Sequence, residues 1–338
     1  HTRLRTVTGV QTCALPILFH AGAALLILAL TYLNFFLYLP IGSGPAGPIV
    51  NRKHFEHPWT ERQVLLVGIG DSVTAGFGAK SGRSYFDRLV ANPPDEFAEM
   101  QGICLSRVIP NLKHLNLAVS GSNSLQHLSH VRERLPQQDA DVFGLIVMTT
   151  GGNDLIHWYG TTPPREGAMY GATLEQAQTW IENYKQRLAA IFTAIEEQFP
   201  GGCAIFVGDI YDPSDGVGDP ESTWALPRWP DCLKIVTAYN AALRQVAGEH
   251  RSVHVVPVHA AFLGHGIHCR QFWRSNYAWR DPHYWYYENI EDPNDRGYDA
   301  LRRVFLIELA DQREHIGPAL DSVGRSEEHT SELQSPYV

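Results

Sequence analysis

The sequence has few cysteines, none of them in a C-x-x-C pair, and no cluster of lysine and arginine. Only 5 cysteines occur in 338 residues. Without a C-x-x-C pair we expect no structural zinc site. The formal net charge is −9, and without a basic cluster nucleic acid is not expected as a partner. The chain also has no internal repeat, which excludes repeat architectures.

Four cysteines remain once Cys13, which lies in a segment excluded below, is set aside. In an exported domain an even number permits two disulfide bonds, and sequence alone does not distinguish the three possible pairings. Cys203 heads an apolar run, so the alternative for it is a small core residue. The four cysteines are Cys104, Cys203, Cys232 and Cys269.

The two ends of the chain lack the character of either folded sequence or targeting sequence. Residues 7–17 (VTGVQTCALPI) and 325–335 (RSEEHTSELQS) resemble translated sequencing adapter. Back-translation with suitable codons makes one the reverse complement of the other. We therefore expect residues 1–17 and 325–338 to be adapter remnants and leave them out of the fold. The alternative is that both are genuine tails.

No charged residue occurs in residues 18–40, LFHAGAALLILALTYLNFFLYLP. An α-helix needs roughly 20 apolar residues to cross a bilayer, so we expect a transmembrane anchor or an uncleaved signal. A buried helix of a soluble domain is the alternative. Residues 41–50 contain the glycine- and proline-rich stretch IGSGPAGP and are predicted to be a linker. A catalytic domain is expected over 51–313, membrane-anchored and extracytoplasmic.

Strand-like and helix-like patterns alternate within the expected domain. Apolar runs typical of parallel strands occur at residues 64–69, 114–119, 142–148, 204–207 and 253–258. Helical patterns occur at residues 123–134, 174–198, 231–246 and 295–309. Thr173 and Gln176 predict a capping box at the start of the second of these helices. Strands interleaved with helices predict a three-layer α/β/α sandwich with a five-stranded parallel sheet.

Small polar residues follow the first three predicted strands. They are GDS at residues 70–72, SG at 120–121 and GGND at 151–154. Ligands bind at the carboxyl ends of parallel strands, where helix amino termini converge, so these clusters predict a site with Ser72 as a candidate nucleophile. The better-known Gly-x-Ser-x-Gly turn is not matched, because Thr74 stands where its second glycine belongs.

In order and spacing the three blocks resemble the SGNH, or GDSL, hydrolase family, and the resemblance spans most of residues 51–313. It implies an SGNH/flavodoxin-like fold and a serine ester hydrolase that acts through an acyl-enzyme, without metal or organic cofactor. Carried over to this sequence, Ser72 is the nucleophile. The N–H groups of Ser72 and Gly121 and the side chain of Asn153 form the oxyanion hole.

Two aspartates beside these residues are expected to support the site. Asp71 is interpreted as orienting its turn through backbone contacts, with direct acid catalysis as the alternative. Asp154 is interpreted as anchoring its own loop.

The family's fourth block, Asp-x-x-His-Pro-Asn-x-x-Gly, is altered here to NIEDPNDRG at residues 289–297. Asp292 stands in the place of the histidine and Asn289 in that of the aspartate. A carboxylate with its ordinary pKa of about 3.9 is a poor base for a serine hydroxyl, whereas an imidazole, at about 6.5, is suited to that role. We expect either a histidine from another segment or an impaired site.

Two histidines before the last helix are the candidate bases. His283, in RDPHYWYY, is preferred, and His265, in FLGHGIHC, is the second candidate. Asp281, Glu291 or Asp292 is expected to orient the chosen imidazole and stabilise its cation.

No metal site is predicted. His265, His268 and Cys269 lie close together in the sequence, but their spacing fits no common zinc pattern. The other histidines, including His127, are interpreted as surface or strand-end residues.

Two insertions after strand ends carry tryptophan, tyrosine and proline: residues 156–171 and residues 211–230. Loops in this position often determine specificity, although simple packing over the sheet is the alternative. The expected substrate is a carboxylic ester such as an acyl lipid or an O-acetylated sugar. The alternative function is a non-catalytic binding module, because the His-Pro-Asn of the fourth block is lost.

Overall fold

A computed structural model describes residues 14–222 and 226–313. Residues 1–13 and 325–338 of the expected adapter remnants therefore lie outside the described residues. The strands are β1 Val64–Ile69, β2 Leu112–Asn116, β3 Phe143–Thr149, β4 Cys203–Gly208 and β5 Val253–Val256. They form one sheet in the order β2-β1-β3-β4-β5, with every neighbouring pair parallel. The predicted five-stranded parallel sheet is confirmed.

One helix precedes the first strand, and the others lie between the strands in the chain or after the last one. They are α1 Ala14–Tyr32, α2 Ser72–Ala75, α3 Tyr85–Val90, α4 Leu105–Val108, α5 Ser124–Arg134, α6 Gly152–Ile156, α7 Leu174–Glu197, α8 Cys232–Glu249, α9 Val258–Phe262 and α10 Asp295–Asp311. The capping box predicted for α7 is present. Thr173 Oγ1 accepts the N–H of Gln176 at 3.2 Å, and Gln176 Oε1 accepts the N–H of Thr173 at 2.9 Å.

Helices cover both faces of the sheet, which gives the predicted three layers. Along β1, Val64 and Leu66 belong to the core shared with α3, α4, α9 and α10. Val67 and Ile69 belong to the core shared with α5, α7 and α8. A strand buried on both faces needs apolar residues at nearly every position, which is why β1 is a continuous apolar run.

Two strands end earlier than the sequence pattern predicts. After β2, the side chain of Asn116 accepts the N–H of Ala118 and donates to the carbonyl of Thr74. The N–H groups of Leu117 and Val119 still donate to the carbonyls of Gly68 and Gly70, although the regular strand has ended. After β5 comes Pro257, which has no N–H to donate, and α9 begins at the next residue.

The N-terminal apolar helix is long and apolar enough to span a membrane. The candidate span covers Leu18–Leu37, none of it buried against the rest of the molecule. It consists of most of α1 and a π-helical turn, Leu33–Leu37.

Residues 41–50, which we call the strap, connect this helix to the domain but do not form the free linker that their composition predicts. The N–H of Ala46 donates to Asp299 Oδ2 of α10 at 2.9 Å. Arg296 donates to the carbonyl of Ser43 at 2.6 Å. At Gly47, where φ is +90°, a Cβ would lie 2.6 Å from the Cα of Ala300. A glycine is therefore needed for the strap to lie this close to α10.

Paired buried charges join α10 to the segment that follows α3. Glu96 accepts hydrogen bonds from Arg88 at 3.0 Å and from Arg302 at 2.9 Å, and all three side chains are buried. Burial alone would raise the pKa of Glu96, but the two arginines lower it to about 2. Asp299 completes the network through both guanidinium groups.

All four cysteines within the described residues are free thiols, so the permitted disulfides are not formed. Cys104, Cys232 and Cys269 are buried and Cys203 is half-buried. Burial raises the pKa of the Cys203 thiol to about 12, which is consistent with a small core residue rather than a reactive group.

Candidate active site

The candidate site lies where the strand order of the sheet reverses. β1 lies between β2 and β3 in the sheet. The connection that follows β1 therefore runs toward one edge of the sheet, and the connection that follows β3 runs toward the other edge. A crevice forms at the carboxyl ends of the strands at such a point, and ligands bind there in open α/β sheets. The GDS cluster follows β1 and the GGND cluster follows β3, so both border this crevice.

Ser72 is the first residue of α2 and is held by a rigid turn. Gly70 has φ +136°, and a Cβ there would lie 2.2 Å from the carbonyl oxygen of Thr149, so only glycine fits. Asp71 Oδ1 accepts the N–H of Val73 at 3.1 Å and the hydroxyl of Thr149 at 2.7 Å. These bonds fix the backbone on both sides of Ser72.

Three loops meet beside Ser72. The Ser122 hydroxyl donates to the carbonyl of Gly70 at 3.1 Å. Asn153 Nδ2 donates to the carbonyl of Ser122 at 2.8 Å. Gly121, next in the chain to Ser122, has φ +79° and open space where a Cβ would be. The loops carrying Ser72, Gly121 and Asn153 are therefore tied side by side.

A buried histidine that sequence analysis placed at the surface supports this arrangement. His127 is fully buried, with Nε2 3.0 Å from the Ser122 hydroxyl and Nδ1 2.9 Å from the Thr150 hydroxyl. Burial lowers its pKa to about 3, so the ring is neutral and acts as a hydrogen-bonding brace. The signal available in the sequence was its position about one turn into the predicted helix that follows the SG cluster.

Asp154 connects helices rather than anchoring its own loop. Its carboxylate is buried and accepts the N–H of Ser124 at 2.9 Å and the Ser124 hydroxyl at 2.5 Å. Arg187 of α7 lies 3.5 Å away. The expected anchoring role is corrected accordingly: Asp154 joins the start of α6 to the start of α5.

A cavity opens beside Ser72, with about 840 Å³ of empty space including its mouth. Asp71, Ser72, Asn153 and Glu291 line its polar end. The remaining wall is mostly apolar and includes Val73, Leu155, Ile156, Tyr170, Ile210, Trp229, Val236, Val258 and Leu301. A pocket with this mostly apolar lining suits a small apolar ligand or part of a larger one.

Asp292, the residue in the place of the family histidine, lies against Ser72. Its carboxylate interacts with the Ser72 hydroxyl, and Asn289 Nδ2 donates to Oδ2 at 2.6 Å. Only 2% of Asp292 is exposed. Burial raises its pKa, and the contacts with Ser72 and Asn289 oppose that effect in part. Oδ1 is buried and accepts no hydrogen bond of full geometry from the described residues.

Three carboxylates, Asp71, Glu291 and Asp292, lie near Ser72, and no cation of the described residues is among the groups that shift their pKa values. Burial raises the pKa of Asp71 to about 6, with repulsion from Asp292 adding to the effect. Burial raises the pKa of Glu291 to about 7, and both aspartates add to it. Within the described residues, the main influences on these pKa values are burial, hydrogen bonds and neighbouring carboxylates. Like charges this close titrate as a set.

The two candidate histidines lie in a different cluster. His283 Nδ1 is 2.5 Å from Asp281 Oδ1, and Arg296 pairs with the same carboxylate at 2.5 and 2.6 Å. His265 donates from Nδ1 to the carbonyl of His283 at 3.2 Å and stacks on Trp285 with ring centroids 3.4 Å apart. Burial lowers the pKa of His265 to about 4.

Neither imidazole contacts Ser72 among the described residues, and neither lines the cavity. Asp281 interacts with His283, His265, Arg296 and Trp285, whereas the hydrogen-bonding side chains at the Asp292 carboxylate are those of Ser72 and Asn289. The expectation of a histidine beside Ser72 therefore has no contact to support it. Within the described residues, no group of three or more His, Cys, Asp or Glu side chains is arranged to hold a metal ion.

Much of the chain matches one known protein family. Residues 69–300 match the GDSL-like Lipase/Acylhydrolase family. No curated protein shows significant sequence similarity.

Solved structures of similar fold include a lipolytic G-D-S-L family protein from Veillonella parvula DSM 2008, with 13% identity and a TM-score of 0.43, covering 72% of this chain and 97% of that one. Phospholipase A1 from Streptomyces albidoflavus NA297 has 15% identity and a TM-score of 0.43, covering 73% and 100%. LAE5, an α/β hydrolase enzyme from the metagenome of Lake Arreo, Spain, has 16% identity and a TM-score of 0.43, covering 73% and 95%.

The sheet order, the crevice and the serine at its edge define a parallel α/β protein with a serine at the ligand-binding edge of its sheet. Because the family match spans more than half of the chain, the protein belongs to the GDSL-like lipase/acylhydrolase family. It is therefore an enzyme that hydrolyses ester bonds.

Proposed function

We propose that the protein is a serine ester hydrolase in which Ser72 is the nucleophile and Asp292 is the base. The observation that carries this proposal is the buried Asp292 carboxylate, which interacts electrostatically with the Ser72 hydroxyl, whereas no imidazole of the described residues contacts that serine. A buried carboxylate with a raised pKa is a better proton acceptor than an ordinary aspartate. The hydrogen bond from Asn289 holds the carboxylate in position.

The reaction has two steps. Ser72 attacks the ester carbonyl and its proton passes to Asp292, which returns it to the leaving alcohol as the acyl-enzyme forms. A water molecule then gives a proton to Asp292 and attacks the acyl group, and the proton returns to Ser72 as the acid leaves. No metal or organic cofactor takes part in the proposed steps.

The oxyanion formed in each step would be held by three donors: the N–H groups of Ser72 and Gly121 and the side chain of Asn153. The contacts that tie the three loops together support this proposal. One Asn153 N–H already donates to Ser122, which leaves the second N–H of the amide for the substrate oxygen. Losing one such donor typically slows acyl transfer by about 10² to 10³.

The apolar cavity supports an ester with an extended acyl group as the substrate, in preference to an acetylated sugar. Its wall is mostly apolar and buries hydrocarbon well, and Ser72 is among the few polar residues that line it. Each CH₂ that enters such a pocket contributes about 0.8 kcal/mol. We therefore expect kcat/KM to rise from p-nitrophenyl acetate to p-nitrophenyl octanoate.

Labelling with a serine-directed phosphonate tests the nucleophile. The full chain in detergent should turn over p-nitrophenyl esters and carry the label on Ser72. Ser72→Ala should lose both, whereas Ser129→Ala, at an exposed serine of α5, should keep both. A wild-type protein that shows neither turnover nor labelling would instead be the non-catalytic binding module.

Replacing the histidines tests the base. His283→Ala and His265→Ala should keep most of the activity if Asp292 takes the proton. A loss in either variant as large as that of Ser72→Ala would return the role to that histidine, with Asp281 as its partner.

We also propose that α1 anchors the protein in a membrane, which its length, apolar composition and complete exposure support. The extracytoplasmic position of the domain stays a prediction.

A further inference from the structure

Residues 270–280 (RQFWRSNYAWR), which we call the aromatic-arginine loop, differ in composition from the rest of the molecule. The loop contains three arginines and no acidic residue, although the whole chain has a net charge of −9. Phe272 is 62% exposed, Trp273 48% and Trp279 70%. Large aromatic side chains that are exposed together in one short loop usually mark a surface of interaction.

The aromatic-arginine loop contacts the last turn of the candidate membrane span. Phe35 lies with its ring centroid 5.7 Å from that of Phe272 and 5.2 Å from that of Trp273. Trp273 also contacts Phe36, with ring centroids 6.0 Å apart. Arg270 donates to Asn34 Oδ1 at 2.8 Å. The loop is therefore at the same depth as the carboxyl end of the span.

The strap prevents the domain from moving freely away from this end. Its contacts with α10, through Ala46, Gly47 and Arg296, attach the chain firmly a few residues after the span. Tyr284 adds a further link by donating its N–H to the carbonyl of Pro40 at 2.8 Å. The loop and the span therefore face the same surroundings.

From these contacts we infer that the aromatic-arginine loop lies in the headgroup layer of the membrane that α1 enters and binds anionic lipid. If α1 spans a bilayer, its last turn reaches the interface, and Phe272 and Trp273 lie there with it. Tryptophan is favoured in this layer because its ring is apolar and its N–H is polar.

The charge of the loop complements an anionic lipid surface. The guanidinium of Arg280 lies 4.9 Å from the ring centroid of Trp279, and both side chains are exposed. An arginine beside an interfacial aromatic can pair with a lipid phosphate while the ring enters the acyl boundary. The otherwise acidic chain would be repelled by such a surface, so the loop sets which side of the domain faces it.

Fluorescence quenching of the full chain in vesicles tests this inference without using enzymatic activity. The protein is reconstituted in phosphatidylcholine vesicles with and without phosphatidylglycerol, and vesicle flotation shows that it is bound. Lipids brominated near the headgroup report tryptophan in the interface, and aqueous iodide reports tryptophan in water. The doubly substituted Trp273→Phe/Trp279→Phe protein is compared with Trp180→Phe, a half-buried tryptophan of α7 on the other face of the sheet.

We expect a loss of lipid-quenchable fluorescence in Trp273→Phe/Trp279→Phe and no such loss in Trp180→Phe. Phosphatidylglycerol should increase the quenching, and Arg274→Gln with Arg280→Gln should remove that increase. Quenching of Trp273 and Trp279 by iodide but not by brominated lipid would overturn the inference. Shielding from both quenchers would also overturn it, because a second copy of the chain or another protein would then cover the loop. A chain that does not float with the vesicles would overturn it as well.

Discussion

Two groups of buried carboxylates in this protein have opposite surroundings. Glu96 and Asp299 lie among Arg88 and Arg302, and the pKa of Glu96 is lowered to about 2. Asp71, Glu291 and Asp292 lie around Ser72, where burial and mutual repulsion raise their pKa values.

The difference shows how one fold uses the same functional group for two purposes. Paired with arginine, a buried carboxylate stays ionised and holds segments together. Without a cation it is costly to keep ionised, so it takes up a proton readily. Groups with pKa values shifted in this way toward neutrality tend to occur at functional sites. The four experiments below test this distinction and the neutral donors beside Ser72, each against a matched variant.

The largest effect is expected for Asp292→Asn, which keeps the shape of the side chain but removes the proton acceptor. Loss of a general base lowers kcat by about 10² to 10⁴. Stopped ester hydrolysis assays compare Asp292→Asn with Asp281→Asn. The second variant makes the same change in the histidine cluster and should affect kcat little. A greater loss in Asp281→Asn than in Asp292→Asn would show that the proton passes through His283 or His265.

The second effect is on stability. Glu96→Gln removes one of the two buried carboxylates that Arg88 and Arg302 share and leaves only Asp299 to pair with both arginines. Breaking a buried pair lowers the free energy of unfolding by about 3 to 5 kcal/mol. Asp292→Asn should not destabilise the fold at pH 7. The raised pKa of Asp292 means that the folded state binds its proton more tightly, so ionisation above that pKa opposes folding. Urea unfolding measures both changes, and equal losses in the two variants would contradict the distinction.

The third effect concerns the neutral part of the site. Asn153→Ala removes one proposed oxyanion donor and should lower kcat by about 10² to 10³ with little change in KM. Asn123→Ala is the control, because Asn123 caps α5 and donates to the carbonyl of Gly167 outside the cavity. A rise in KM alone for Asn153→Ala would assign that residue to substrate binding.

The smallest effect is a shift in the pH profile. The proposed base must be ionised, so kcat should fall as the pH drops through the raised pKa values of the set, of which Asp71 has about 6 and Glu291 about 7. Glu291→Gln removes one negative charge, which eases ionisation of the others, and should move the acid limb to lower pH by about one unit or less.

The exposed neighbour Glu288 offers the control for this shift, as Glu288→Gln should leave the acid limb in place. An acid limb that moves equally in both variants would point to a change in overall charge rather than to the carboxylate set.

Much of the fold was predictable because its signals are local. The apolar run of β1 and the capping box of α7 depend on residues close together in the chain, and both predictions are confirmed. The small polar clusters after β1 and β3 also placed Ser72 and Asn153 at one edge, because parallel strands end together.

The proposed base, Asp292, could not be predicted in this way. Sequence analysis looked for an imidazole because an ordinary aspartate is too weak a base, but the pKa of Asp292 depends on burial, which only the packing of distant segments creates. His127 was missed for the same reason: its partners, Ser122 and Thr150, come from two different loops. The composition of the strap predicted a free linker, and its fit against Ala300 required the three-dimensional structure.

The fit of the strap against α10 decides how a water-soluble version of this enzyme should be made. Ala46 and Val50 are buried in the same core as Phe305 and Leu306. Trimming the gene at residue 51 would strip apolar side chains from that core and leave Asp299 without one of its donors. A truncated protein that begins just after the span, near Pro40, would keep the strap packed against α10.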